Sequence, residues 1–142
     1  MDSLFRHIVV PLDFTEKNIA AVQVAMNIAR QNAARVTLIH VIESIDYAND
    51  PSMANFYETL RLRAEDELSK RLKEFTTEGI PVDQEVMVGK TASSIVRYAM
   101  SEQADLVILS SHKIQLDEAP KSWATLSYQV SILCQCPVML VK

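Results

Sequence analysis

Glycine is almost missing: Gly79 and Gly89 are the only two among 142 residues. A dinucleotide fingerprint or a P-loop gathers several glycines in one loop, because backbone must approach phosphate with no Cβ between them. Both motifs are therefore excluded. Cysteine is nearly as scarce. Cys134 and Cys136, one residue apart, are too few and too close for a disulfide framework. The histidines His7, His40 and His112 are scattered along the chain, so further metal ligands are lacking. Buried, reduced thiols and no metal are expected. An excess of positive charge is also absent. Fourteen Lys and Arg face 18 Asp and Glu, for a net charge of −4, which speaks against nucleic acid or an anionic membrane as partner. No apolar run approaches the length of a membrane span. The opening residues, Met1 to Arg6, show no basic segment followed by a long apolar stretch, so no signal peptide is expected and the cytoplasm is the expected location.

What is present is ordinary globular material, 49% hydrophobic and 23% charged, of a length that suits one domain over 1–142. Apolar β-branched runs alternate with helical patterns five times. His7 to Leu12 reads as a first strand, after which Thr15 is expected to cap a helix reaching about Gln31, with Ile19, Val22, Met26 and Ala29 on its buried face. Val36 to Ile42 reads as a second strand, followed by a polar loop from Glu43 long enough to cover a site. A long helix from about Ala54 to Glu78 places Phe56, Leu60, Ala64, Leu68, Leu72 and Phe75 on one stripe. Its carboxylate run Glu65-Asp66-Glu67 belongs to a solvated face, where Asp66 precedes Lys70 and Glu67 precedes Arg71 by four residues.

Val82 to Val88 alternates as an edge strand does, and Gly89 closes it. Thr91 is expected to cap a third helix carrying Ala92, Ile95, Val96 and Ala99. Leu106 to Leu109 is a central buried strand. A short helix with Leu126, Val130 and Leu133 precedes a last strand, Pro137 to Val141. Strand–helix alternation of this kind predicts a parallel sheet with helices on both faces. Ligands of such sheets sit beyond the carboxyl ends of the strands, which directs attention to Asp13, Val41, Glu43, Gly89 and the segment from Ser110 onward.

Catalytic constellations are weak. Ser110, Ser111 and His112 stand together at a strand end, yet no acid is placed to orient His112, and an adjacent Ser-His pair seldom has triad geometry. His112 is expected to be a loop histidine at the mouth of the cleft. His40, inside an apolar strand, is expected to be a satisfied core histidine. Asp13 suits two roles equally, a ribose acceptor or a cap on the following helix.

Five segments in order carry a resemblance that runs from end to end. Ile-Val-Val-Pro-Leu-Asp at 8–13, Leu-Ile-His-Val at 38–41, Val-Gly-Lys-Thr-Ala at 88–92, Ala-Asp-Leu-Val-Ile-Leu at 104–109 and Cys-Pro-Val-Met-Leu-Val at 136–141 resemble the universal stress protein family. The resemblance implies a Rossmann-like, adenine nucleotide alpha hydrolase-like fold with sheet order 3-2-1-4-5, usually in a homodimer. Some members bind ATP or AMP and others bind no nucleotide. The binders resemble one another in an Asp after the first strand, matched by Asp13 with Pro11 beside it, and an adenine-contacting Val after the second, matched by Val41. They also carry Gly-x-x-Gly, about nine residues, then Gly-(Ser/Thr).

Here the chain departs from the pattern. The first two glycine positions fall on Ser110 and Lys113, with Ser111 between them. The third falls on Ala124, followed by Thr125, one residue beyond the strict spacing. Lys113 offers a point charge to phosphate but no backbone cradle. The resulting expectation is a stress-response regulatory or interaction protein, not an enzyme, acting as a homodimer whose degenerate cleft binds ATP weakly or not at all. The dimer is expected to form through Val138, Met139, Leu140 and Val141, since an apolar edge strand invites pairing with a second copy. A regulatory protein partner fits the same reading. The alternative is a true ATP or AMP binder in which Asp13, Val41, Ser111, Lys113 and Thr125 replace the usual scheme; a slow ATP hydrolase is a third reading that lacks an evident base for water.

Overall fold

In the computed structural model, residues 4–44, 50–113, 117 and 125–142 are described. Five strands form one parallel sheet: β1 (His7–Pro11), β2 (Arg35–Glu43), β3 (Val82–Gly89), β4 (Leu106–Ser110) and β5 (Val138–Val141). Their spatial order is β3-β2-β1-β4-β5, so β1 and β4 diverge at the sheet's switch point, where ligands collect in such folds. The strands are joined through α1 (Asn18–Asn32), α2 (Ala54–Thr77), α3 (Thr91–Ser101) and α4 (Leu126–Leu133), with a 3-10 turn at Pro51–Met53 ahead of α2.

The strand alternation sends two sets of side chains into two apolar layers. Ile8, Val10, Leu38 and Ile108 pack with Val22, Met26, Leu68 and Phe75 on the face covered by α1 and α2. Val9, Ile39, Val107 and Leu109 pack with Ile95, Ala99 and Val130 on the face covered by α3 and α4. Phe75, Leu68 and Ile95 are almost wholly buried, and complete burial of such a side chain stabilises by about 1.5–3 kcal/mol. Among the described residues no helix is long and apolar enough to cross a membrane.

Three expectations need correction. Ile19 is 52% exposed and Phe56 50% exposed, so both fall off the buried stripes assigned to them. Phe56 lies in the first turn of α2, where the helix makes its fewest buried contacts; Ala64, Leu68 and Phe75 are its buried residues. Thr15 does not cap α1: the helix begins at Asn18, and the residue before it, Lys17, makes no side-chain cap. Thr91 is the first residue of α3 and not its cap.

Candidate functional site

The loop from β1 into α1 is built around Asn18. This side chain is 1% exposed, and its Oδ1 accepts hydrogen bonds from the backbone N–H of Asp13 at 3.0 Å and of Phe14 at 2.7 Å. Its Nδ2 donates to Ser110 Oγ at 2.9 Å. One amide thus satisfies two loop donors and ties the end of β1 to the end of β4. Holding the loop so tightly places Phe14 at φ 67°, the left-handed region that non-glycine residues seldom occupy.

Phe14 stacks on His40, with ring centroids 4.3 Å apart and planes 25° from parallel. His40 Nδ1 lies 2.7 Å from the carbonyl oxygen of Leu12. A carbonyl only accepts, so Nδ1 carries the proton and His40 is held from two sides. It is therefore a satisfied histidine, as expected, but it is half-buried beside the cleft and not in the core.

Asp13 turns its carboxylate back on its own loop. Oδ1 accepts from the N–H of Thr15 at 3.0 Å and from its hydroxyl at 2.6 Å. Burial alone would raise the carboxyl's pKa, but the Thr15 bonds, with help from Lys17 and Asn18, bring it below the ordinary 3.8. At the end of β2, Glu43 accepts from the N–H of Thr91 at 3.1 Å and also from the Thr91 hydroxyl. A carboxylate at a helix N-terminus is favoured by the exposed amides there, so Glu43 supplies the cap that Thr91 was expected to be. Gly89 sits beside it, and a Cβ there would come within 2.7 Å of Ser94 Oγ.

Between these elements lies a cavity of about 250 Å³, lined by Pro11, Asp13, Asn18, Val41, Ile95 and Ser110 among others. His40 and Val41 also border a second, apolar cavity of about 450 Å³ under α2, with Phe14, Ile42, Phe56 and Leu60. Pro11, Asp13, Val41 and Ser110 are thus brought together at one cleft. Ser111 is not among its lining residues; it is 5% exposed, and its N–H donates to the carbonyl of Val141 at 2.8 Å. Lys113 and His112 are exposed, without a place among those lining residues. Thr125 caps α4, its side chain accepting from the N–H of Tyr128. Ala124 lies outside the described residues.

Asn18 was missed by the sequence reading, although a signal existed. It falls four residues before Val22 on the buried stripe of α1, and a polar residue on such a stripe must find partners inside the fold.

The profile of the universal stress protein family matches residues 4–142. A universal stress protein of Methanocaldococcus jannaschii is 27% identical over 145 residues, covering 99% of this chain and 84% of the relative. The solved universal stress protein UspA of Lactobacillus plantarum superposes with a TM-score of 0.81 at 22% identity, covering 97% of this chain and 98% of that one. The universal stress protein of Archaeoglobus fulgidus solved in complex with dAMP superposes at 0.72 and 16% identity, covering 98% and 99% of the two chains. With the family profile spanning nearly the whole sequence and the sheet order in place, this chain belongs to the universal stress protein family.

Proposed function

We propose that this chain is a one-domain regulatory stress protein that works through protein association as a homodimer. Its cleft takes adenine nucleotide weakly or not at all. The observation that carries this reading is the bond from Asn18 Nδ2 to Ser110 Oγ across the strand ends. Phosphate binding at such a place needs bare backbone amides. A serine side chain, already engaged, stands there instead.

Two further features support a binding role without catalysis. Asp13 and Glu43 each use a carboxylate oxygen to accept hydrogen bonds, from Thr15 and from Thr91, which supports a structural part for both. The edge position of β5 supports the dimer, because an unpaired ladder of apolar residues closes most simply by antiparallel pairing with a second copy.

A second reading rests on a different observation. The cleft walls Pro11, Val41, Ile95 and Leu109 are apolar enough to receive an adenine ring, and the Archaeoglobus fulgidus relative was solved with dAMP. On that reading the base is held and the phosphates face solvent. Calorimetry of the purified chain with magnesium and ATP, then with AMP, separates the two. Affinity no better than millimolar for both supports the first. Micromolar ATP affinity, or nucleotide carried through purification and seen by mass spectrometry, overturns it in favour of the second.

A further inference from the structure

Remote from the cleft, the chain reversal between α4 and β5 brings two thiols together. Cys134 is the C-cap of α4 and Cys136 lies two residues before β5. Their Sγ atoms are 3.6 Å apart. Both are half-buried and border a groove of about 240 Å³ whose other lining residues include Ala99, Met100, Gln103 and Ala104. Met100 is 50% exposed. Two cysteines whose sulfurs are close together and one methionine therefore line the same open groove.

The chemistry of that set is narrow. Among the described residues no group of three or more His, Cys, Asp and Glu is arranged to hold a metal. A zinc site of the usual kind, with four Cys or His ligands, is not formed. Sulfur alone, as thiolate and thioether, selects soft monovalent copper over harder ions. The spacing also fits. Two metal–sulfur bonds of about 2.3 Å reaching sulfurs 3.6 Å apart meet at an angle of about 100°. A bent pair of that kind leaves one side of the metal open, and a third ligand can complete it.

We propose that Cys134 and Cys136 form a binding site for a soft monovalent ion, Cu(I) or Ag(I), with the Met100 thioether as third ligand. Binding replaces two S–H protons: the metal ion and two thiols give a bis-thiolate complex of charge −1 and two protons, with no change of oxidation state.

The test uses the full chain, reduced and free of oxygen, titrated with Cu(I) in competition with bicinchoninate. One Cu(I) per chain is expected. Cys134→Ser and Cys136→Ser should each weaken binding by roughly a hundredfold or more, since even changes outside the ligand set cost about 10–100-fold. Met100→Leu should cost less than either but remain measurable, and circular dichroism confirms that each variant is folded. Zn(II) should compete poorly. Unchanged copper affinity in the double serine variant, or in Met100→Leu, overturns the three-sulfur site. So does zinc binding as tight as copper, or conversion of the pair to a disulfide in place of a copper complex.

Discussion

Replacing Ser110 by glycine tests the account of the cleft most directly. In the parent chain Ser110 Oγ accepts a hydrogen bond from Asn18 Nδ2 at 2.9 Å. Ser110→Gly removes the Cβ and hydroxyl from the end of β4 and releases that amide toward the cleft. Losing the bond should cost about 1–3 kcal/mol of stability, the value for a buried donor left without its acceptor. A hydrogen bond from the freed amide to a charged phosphate is worth about 1.5–3 kcal/mol, or roughly tenfold to a hundredfold in affinity. Calorimetry with magnesium and ATP should therefore show tighter binding in Ser110→Gly, and tighter still when Lys113→Gly and Ala124→Gly are added to supply backbone cradles. Ser110→Ala frees the amide but keeps the Cβ, and should gain less than the glycine variant. The reasoning fails if the triple-glycine chain, shown to be folded, binds ATP no better than the parent.

The remaining predictions address stability and assembly. His7 is 3% exposed; its Nδ1–H donates to the Glu102 carbonyl at 3.2 Å, which leaves Nε2 to accept from Thr37 at 2.8 Å. Burial lowers its pKa below the ordinary 6.5, so the unfolded chain binds the extra proton first and stability should fall as pH drops below about 6.5. Urea midpoints between pH 7.5 and 5.5 should show that fall in the parent, and His7→Gln should flatten it; a parallel pH dependence in both would contradict it. Phe75→Ala should cost about 3–5 kcal/mol, whereas Ile19→Ser, at a half-exposed site, should stay within about 0.5 kcal/mol, both read by urea melts. For the dimer, Val138 and Leu140 pack against the layer under α3 and α4, so charging them would damage the subunit itself. Pro137 and Val141 direct their carbonyls to β4, which by strand alternation turns the Leu140 N–H to the open edge. Leu140→Pro should thus split the dimer while retaining the far-ultraviolet spectrum, and light scattering that finds the parent monomeric at tens of micromolar would falsify the assembly.

The sequence by itself determined the sheet. Runs such as Ile8 to Leu12 and Leu106 to Leu109 are apolar at every position, as short strands covered on both faces are, and five strand-like segments separated by helical patterns admit few topologies. It also determined what the cleft lacks, because a missing glycine is visible in any register. The periodicity of α1 and α2 was legible only in part. A stripe of spacing 3.6 marks the face a helix turns inward, but not its width or its ends: Phe56 stands in the exposed first turn of α2, and beside Ile19 it is Asn18 that takes the buried place. The side-chain bonds were decided by tertiary structure alone. Asn18 reaches Ser110 across 92 positions of sequence, Glu43 reaches Thr91 across 48, and Met100 comes to line one groove with Cys134 and Cys136. Hydrogen bonds and metal ligation act over a few ångströms of space, and which distant residues come within that range is set by packing of the elements, after the local pattern has chosen them.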